Sequence, residues 1–205
     1  MKVIDIASWN RKRHYQHFMQ LKDPYFGVVI PFDVTKAYQF SKDNTISFFV
    51  KYLHDCMKAI NTIANFRYRI VNDKVIDFEI IHASATIARD DNTYGFSFIN
   101  YDNDITVFLE NFNKEKARVL NSDDLYPSVN GLDCIHCSAI PWFTFTGHKE
   151  PSSGNIQSVP ELAFSKVFKT DQKLMMNVSI HVNHALVDGY HVGRFAEKFQ
   201  FYLNA

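Results

Sequence analysis

The segment from residue 174 to residue 203 constrains the fold more than any other part of the chain. Apolar and polar residues alternate over Val178–Asn183, which is the pattern of a β-strand with one buried face. After His184 and a short bridge, the pair Asp188-Gly189 is typical of the start of a helix. Apolar residues then recur at helical spacing, at Val192, Phe195, Ala196, Phe199 and Leu203. The segment predicts a strand that ends at a histidine, followed by a helix that begins at an aspartate.

A histidine held at the end of a strand suits the work of a general base. Imidazole is the side chain that most often transfers protons in catalysis, and a rigid element fixes its orientation. These residues alone leave a simpler interpretation open. His184 would be a polar residue with satisfied hydrogen bonds, and Asp188 would be an N-cap that accepts from the backbone N–H of Tyr190 or His191.

The wider context favours catalysis. Residues 184–195 read His-Ala-Leu-Val-Asp-Gly-Tyr-His-Val-Gly-Arg-Phe. This run closely resembles the signature of the chloramphenicol acetyltransferases, whose His-x-x-x-Asp-Gly core is shared with the dihydrolipoamide acyltransferases. The family signature usually opens with two adjacent histidines. Here Asn183 replaces the first, and His184 aligns with the second, so the resemblance implies that His184 is the catalytic residue.

A second motif lies near the amino terminus, where residues 9–15 read Trp-Asn-Arg-Lys-Arg-His-Tyr. It resembles the amino-terminal motif of the same family, in which the first arginine forms a buried ion pair with the aspartate of the signature. The resemblance implies that Arg11 pairs with Asp188 and that both residues support the site. From this stretch alone, Arg11 would be one more exposed cation on a basic helix.

A third motif, Cys137-Ser138-Ala139-Ile140-Pro141-Trp142-Phe143, resembles the Ser-Ala-x-Pro-Trp sequence of the family. The resemblance implies that the Ser138 hydroxyl donates a hydrogen bond to the oxyanion of the tetrahedral intermediate, a stabilisation of the kind that preorganised donors provide. It also implies that Trp142 and Lys166 contact coenzyme A. Without the resemblance, Ser138 would be a filler in a half-buried strand, and Lys166 a surface charge.

The acceptor pocket departs from the family pattern. Phe18 and Phe26 are expected to face the acceptor. However, Ala163 stands where the family typically has a threonine, and Ser47 stands where a lysine often contributes to coenzyme A binding. The insert His148–Asn155 is polar, whereas apolar and aromatic side chains normally dominate such a pocket. The sequence therefore indicates the chemistry more firmly than the acceptor.

Composition and periodicity predict an α/β protein with a large core, since 46% of residues are hydrophobic and 19 are Phe. The resemblance implies a fold of the two-layer α+β kind, with a mixed, mostly antiparallel sheet flanked by helices. We expect a single acyltransferase domain over residues 1–205. Helices are predicted from Trp9 to about Gln20, from Asn44 to about Ile63 and from Ile105. Strands are predicted at Tyr25–Phe32, Phe66–Ile70, Val75–Ile81, Thr93–Ile99, Cys134–Phe145 and Leu162–Phe168.

By resemblance, the chain is an O-acetyltransferase that uses acetyl-coenzyme A as a co-substrate and holds no permanently bound cofactor. His184 would deprotonate a hydroxyl of chloramphenicol or a similar small molecule, which attacks the thioester in a ternary complex. The family is a homotrimer with active sites at its subunit interfaces. Other hypotheses are a different hydroxylated acceptor, a lipoyl thiol as acceptor, and a trimeric coenzyme A-binding homologue with little turnover.

The sequence excludes several other classes of function. The 22 basic and 22 acidic residues cancel, so no charge excess favours nucleic acid or anionic lipid as a partner. No segment approaches the roughly 18–20 apolar residues of a membrane span, and a cytoplasmic protein is expected. The pair Cys134 and Cys137 lacks the second pair that would complete a metal site. A metal site of His181, His184 and Asp188 is disfavoured, because the two histidines point to opposite faces of a strand.

Overall fold

The structure, a computed structural model, describes residues 1–151 and 157–205. Its helices are α1 (Lys12–Phe18), α2 (Thr35–Asp43), α3 (Phe48–Asn61), α4 (Ala64–Arg67), α5 (Ile105–Leu120) and α6 (Gly189–Leu203). Its strands are β1 (Lys2–Ile4), β2 (Tyr25–Asp33), β3 (Tyr68–Val71), β4 (Lys74–Asp77), β5 (His82–Ala88), β6 (Tyr94–Phe96), β7 (Cys134–Ile140), β8 (Glu161–Ser165), β9 (Phe168–Thr170) and β10 (Lys173–Asn183).

The larger sheet has the strand order β2-β10-β8-β7-β5-β6, and β9 pairs with β10 beside β8. Strand β10 is antiparallel to β2, β8 and β9, whereas β7 is parallel to both β5 and β8. The sheet is therefore mixed and mostly antiparallel, as predicted. Because β10 is its longest strand and lies next to the edge strand β2, the end of β10 determines where the following turn projects.

The two faces of the larger sheet differ in chemistry. Along β10, Val178, Ile180 and Val182 belong to the hydrophobic core, as the alternation predicts. Their partners on β8, Phe164 and Leu162, point to the same side. The alternate residues face the other way and are mostly polar; they include His136, Ser138, Glu161, Ala163, Ser179 and His181.

The helices cover the apolar face of the sheet. Helix α3 packs against α6, and both contribute fully buried side chains, which include Leu53, Met57, Ile60, Phe195, Phe199 and Leu203. Burial of one such side chain stabilises the fold by about 1.5–3 kcal/mol. Across residues 1–151 and 157–205, every helix is too short or too polar to span a bilayer.

A fully buried arginine joins the smaller sheet, β1-β4-β3, to the start of β7. Arg69 on β3 has no exposed surface, and its guanidinium donates to four backbone carbonyls. The acceptors are the carbonyls of Phe66, Tyr68, Leu132 and Cys134. Burial lowers the pKa of Arg69 to about 10, which still leaves the guanidinium charged at neutral pH. The side chain therefore satisfies carbonyls from two parts of the chain.

Two predicted helices differ from the observed ones. Helix α1 begins at Lys12 with Arg11 as its N-cap, not at Trp9, because the hydroxyl of Ser8 donates to Asp5 instead of capping a helix. The helix predicted from Asn44 begins at Phe48, after a left-handed residue at Thr45. Helix α2 precedes that turn. It was not predicted, because the residues at its start are polar.

The strand prediction differs from the structure at several places; for example, β1 was not predicted, and the strand predicted from Phe66 begins at Tyr68, after α4. Strand β5 was missed, because its buried residues Ala83, Ser84 and Ala85 are small and lack an alternation of large apolar side chains. The strand predicted over Tyr25–Phe32 is observed as β2, which runs through Pro31 and ends one residue later, at Asp33. Strand β2 lies at the edge of the sheet, where the absence of an N–H is tolerated.

Replacing Arg69 is expected to destabilise the protein strongly. In Arg69→Met, the four carbonyls lose their donor inside the protein, and we expect a loss of about 3–5 kcal/mol in the free energy of unfolding. Urea denaturation at a fixed protein concentration measures this loss. The control is Arg13→Met on the exposed surface of α1, which should change stability by less than about 0.5 kcal/mol. Equal stability of the two variants would contradict the role of Arg69.

Candidate active site

His184 lies directly after β10 and is held by its backbone and its ring. Its N–H donates to the carbonyl of Pro24, 2.8 Å away, just before β2 begins. The imidazole stacks on the ring of Phe18, with centroids 3.9 Å apart and planes 6° from parallel. Phe26 contacts the imidazole with a centroid distance of 4.6 Å. The two phenylalanines that were expected to face the acceptor therefore fix the plane of the His184 ring.

The two nitrogens of His184 differ in their surroundings. Nδ1 is buried and has no hydrogen-bond partner among the described residues, whereas Nε2 is not buried. Because Nε2 is the accessible nitrogen, it is the atom that can exchange a proton with a bound molecule. The ring of His184 is thus held in place with Nε2 as the nitrogen that a bound molecule can reach.

Arg11 binds both ends of the turn that follows β10. Its Nη1 donates to Asp188 Oδ2, and its Nη2 donates to the carbonyl of His184 at 3.3 Å. The side chains of Arg11 and Asp188 are only 11% and 30% exposed. The predicted ion pair is therefore confirmed, and Arg11 also fixes the backbone at His184.

Asp188 is at the same time the N-cap of α6. Its Oδ1 accepts from the backbone N–H of Tyr190 at 3.0 Å and of His191 at 3.4 Å. The simpler interpretation of Asp188 as a cap is thus also correct, since Oδ1 caps the helix while Oδ2 accepts from Arg11. Burial raises the pKa of this carboxyl, but the hydrogen bond from Arg11 and the nearby His191 outweigh that effect. The net pKa therefore lies below the ordinary value.

Two asparagines complete the turn. Asn183 Oδ1 accepts from the N–H of Ala185 at 2.9 Å, and Asn183 Nδ2 donates to the carbonyl of Gln157 at 2.7 Å. Asn65, between α3 and β3, donates to the carbonyl of Leu186 at 2.7 Å. Asn183 was noted only as a departure from the family pattern. Asn65 was missed, because nothing local in the sequence indicates that it contacts this turn.

Ser138 lies on the polar face of β7 and is distant from His184 within the chain. It shares a cross-strand row with Ser179, which lies two strands away and five residues before His184. This register separates the Cα atoms of Ser138 and His184 by roughly 15–20 Å. One copy of the chain therefore does not bring Ser138 and His184 to the same reacting atoms.

Ser138 lines a large cleft of about 1060 Å³ over the polar face of the sheet. Trp142, directly after β7, also lines this large cleft and is 71% exposed. Lys166 is exposed at the end of β8, and its backbone N–H donates to the carbonyl of Phe143 at 3.0 Å. Of the two predicted coenzyme A residues, Trp142 therefore lines the large cleft, whereas Lys166 is bonded through its backbone to Phe143, the residue after Trp142.

The departures from the family pattern have clear positions. Ala163 is buried in the row between Ser138 and Ser179, and Ser47 is the N-cap residue of α3 without a side-chain capping bond. Of the polar insert, His148 and Glu150 line the large cleft, and residues 152–155 lie outside the described residues. Within residues 1–151 and 157–205, no three His, Cys, Asp or Glu side chains are arranged to hold a metal ion.

Comparison with known proteins agrees with this geometry. The family model described as chloramphenicol acetyltransferase matches residues 1–200. Chloramphenicol acetyltransferases of Bacillus pumilus and Proteus mirabilis are 27% and 26% identical to the chain. The alignments cover 96% and 98% of this chain, and 90% and 93% of the two relatives.

Solved structures extend the comparison. A structure of a chloramphenicol acetyltransferase superposes with a TM-score of 0.89 at 27% identity, over 98% of this chain and 99% of that one. The dihydrolipoamide acetyltransferase of Azotobacter vinelandii superposes with a TM-score of 0.67 at 14% identity, over 94% of this chain and 86% of that one. The second likeness shows a shared fold alone.

Separating the two roles of Asp188 gives a test of the turn. Asparagine can still cap a helix but cannot form the ion pair, so Asp188→Asn should lower the free energy of unfolding by about 1–3 kcal/mol at pH 7. Asp188→Ala also loses the cap and should cost about 1 kcal/mol more. Chemical denaturation of both variants at one protein concentration measures the two steps.

The pH dependence of the same variants provides a control. Because the folded protein lowers the pKa of Asp188, the ion pair contributes its full stability above the ordinary carboxyl value of 3.8. The contribution is lost as the pH falls through the pKa of the folded state. The stability difference between wild type and Asp188→Asn should therefore shrink in acid. A difference that is absent at pH 7 would contradict the ion pair's structural role.

Proposed function

The chain belongs to the chloramphenicol acetyltransferase family and is an acyltransferase, and from this premise we propose that it transfers the acetyl group of acetyl-coenzyme A to a hydroxyl of chloramphenicol. The observation that carries the proposal is the fixed His184 ring with an accessible Nε2. Acetyl-coenzyme A is the co-substrate in this proposal.

His184 acts as the general base. Its Nε2 takes the proton of the acceptor hydroxyl while the hydroxyl oxygen attacks the thioester carbonyl, and a tetrahedral oxyanion forms. When this intermediate collapses, the carbon–sulfur bond breaks and the imidazolium returns its proton to the departing thiolate. The stacking of Phe18 on the imidazole and the tilted contact from Phe26 support this role, because they hold the His184 ring in place.

The Ser138 hydroxyl donates a hydrogen bond to the oxyanion. Such a donor, aimed at developing charge, contributes about 2.7–4 kcal/mol to transition-state stabilisation. Arg11 and Asp188 are positioning residues, since they act on the backbone and turn that carry His184. Trp142 in the large cleft and Lys166 beside the Trp142 segment contact coenzyme A.

The active site is formed between two copies of the chain. His184 and Ser138 are roughly 15–20 Å apart in one copy, which is too far for both to act on one carbonyl. His184 of one copy therefore meets the large cleft of the next copy, where Ser138 lies. In a closed homotrimer, this head-to-tail contact is repeated at each of the interfaces.

Thiol release from acetyl-coenzyme A tests the proposed reaction. Purified protein should release thiol in a saturable manner that requires chloramphenicol. His184→Ala should lower kcat by about 10²–10⁴-fold, because the general base is lost. Ser138→Ala should lower kcat by about 10²–10³-fold, because the oxyanion loses a donor.

The matched control is His14→Ala, which changes an exposed histidine on α1 and should leave kcat unchanged. Circular dichroism and the size of the oligomer establish that each variant is folded. A His184→Ala variant that keeps most of its kcat would refute the assignment of the general base. Thiol release that does not depend on chloramphenicol would refute the acceptor.

A further inference from the structure

A row of three polar residues crosses the face of the sheet that carries Ser138. His136 on β7 pairs with Glu161 on β8, and Glu161 pairs with His181 on β10. The row ends at Gly27 on β2, where a Cβ atom would collide with the His181 ring. The glycine therefore gives the His181 ring room to lie flat along the sheet, and Glu161 stands between the two imidazoles.

Glu161 lines both the large cleft and a small cavity of about 320 Å³ next to it. Among the described residues, no Lys, Arg or His side chain forms an ion pair with its carboxylate, and no hydrogen-bond donor reaches it. An ionised carboxylate can only accept hydrogen bonds. Glu161 is partly buried and is open to a donor from a molecule bound in either cavity.

The charged groups that shift the pKa of Glu161 are both acidic. Burial, then Glu150, then Asp23, raise the pKa of Glu161 to about 7. Burial, then the neighbouring His148, lower the pKa of His181, so this imidazole is mostly neutral at pH 7 and does not balance the carboxylates. Lys22 and Lys149 line the small cavity without pairing with Glu161. A cationic donor would satisfy the Glu161 carboxylate better than a neutral one.

The position of Glu161 relative to Ser138 suggests the size of the bound molecule. Ser138 pairs with Ala163, and Glu161 precedes Ala163 by two residues on the same face. Diagonal neighbours of this kind have Cα atoms about 7–8 Å apart. A small acceptor whose hydroxyl reacts beside Ser138 can therefore reach Glu161 with a group a few bonds away.

We propose that Glu161 binds a protonated amine of the acceptor, so that the chain acetylates hydroxylated amines as well as chloramphenicol. This inference rests on the proposed function, because it assigns the large cleft around Ser138 to the acceptor. Glu161 is then a specificity-determining residue, and the reaction at the hydroxyl is unchanged. The amine stays protonated and forms a charge-assisted hydrogen bond with the carboxylate.

A matched pair of acceptors tests the inference. The first is chloramphenicol, whose nitrogen is a neutral amide. The second is the amine left when the dichloroacetyl group is removed, with its nitrogen dimethylated. This second acceptor keeps the ring and both hydroxyls, is protonated at pH 7, and cannot form a stable amide. Thiol release gives kcat/KM for each acceptor.

The wild-type protein should acetylate both acceptors. Glu161→Gln should lower the ratio of kcat/KM for the amine to kcat/KM for chloramphenicol by about tenfold or more, as expected for loss of a hydrogen bond to a charged group. Glu161→Asp keeps the charge and should retain more of this ratio than Glu161→Gln. The control Glu110→Gln, on the exposed surface of α5, should leave the ratio unchanged. An unchanged ratio in Glu161→Gln, or a wild type that uses only chloramphenicol, would overturn the inference.

Failure of the proposed function is recognised separately. If wild type acetylates neither acceptor, the reaction itself is wrong, and calorimetric titration of the dimethylated amine then decides the inference. Binding that weakens about tenfold or more in Glu161→Gln would support it. Equal binding to wild type and Glu161→Gln, or no binding to either, would overturn it.

Discussion

The contact between Arg11 and the turn after β10 is the interaction on which the site depends. The turn buries Ala185, Leu186 and Val187 in the core, and hydrogen bonds fix its two ends. Arg11 supplies them at both ends, to the His184 carbonyl and to Asp188, while Asp188 also begins α6. Helix α6 buries Phe195 and Phe199 in the core. The histidine is thus tied to the most buried part of the protein.

The polar face of the sheet underlies the proposal that the site is shared between copies of the chain. The apolar face is covered by helices, whereas the other face presents His136, Ser138, Glu161 and His181 in two adjacent rows. His184 projects from the end of β10, beyond this face. A second copy can place its own histidine over the rows, and this assembly would shield the reacting groups from water. In the proposed reaction, the distance between His184 and Ser138 in one chain means that the two residues act on the same carbonyl only when they come from different copies.

Local patterns in the sequence predicted the parts of the site that depend on neighbouring residues. The strand and helix on either side of His184 follow from alternation and helical spacing. The Arg11–Asp188 pair spans the chain, and only the resemblance between two distant motifs indicated it. Strand β5 and the contact from Asn65 to the turn depend on pairing between remote segments, which periodicity cannot reveal. The row through Glu161 likewise requires the strand register, which a single sequence does not contain.

Mixing two inactive variants tests most directly whether the site is shared between copies. His184→Ala and Ser138→Ala would be unfolded together and refolded at equal amounts, with each variant refolded alone as the control. Every mixed ring of three then contains one interface with both residues intact, so about a quarter of the wild-type activity should return. Mixed oligomers, identified by mass, that show no more activity than the separate variants would contradict a site formed by His184 of one copy and Ser138 of the next.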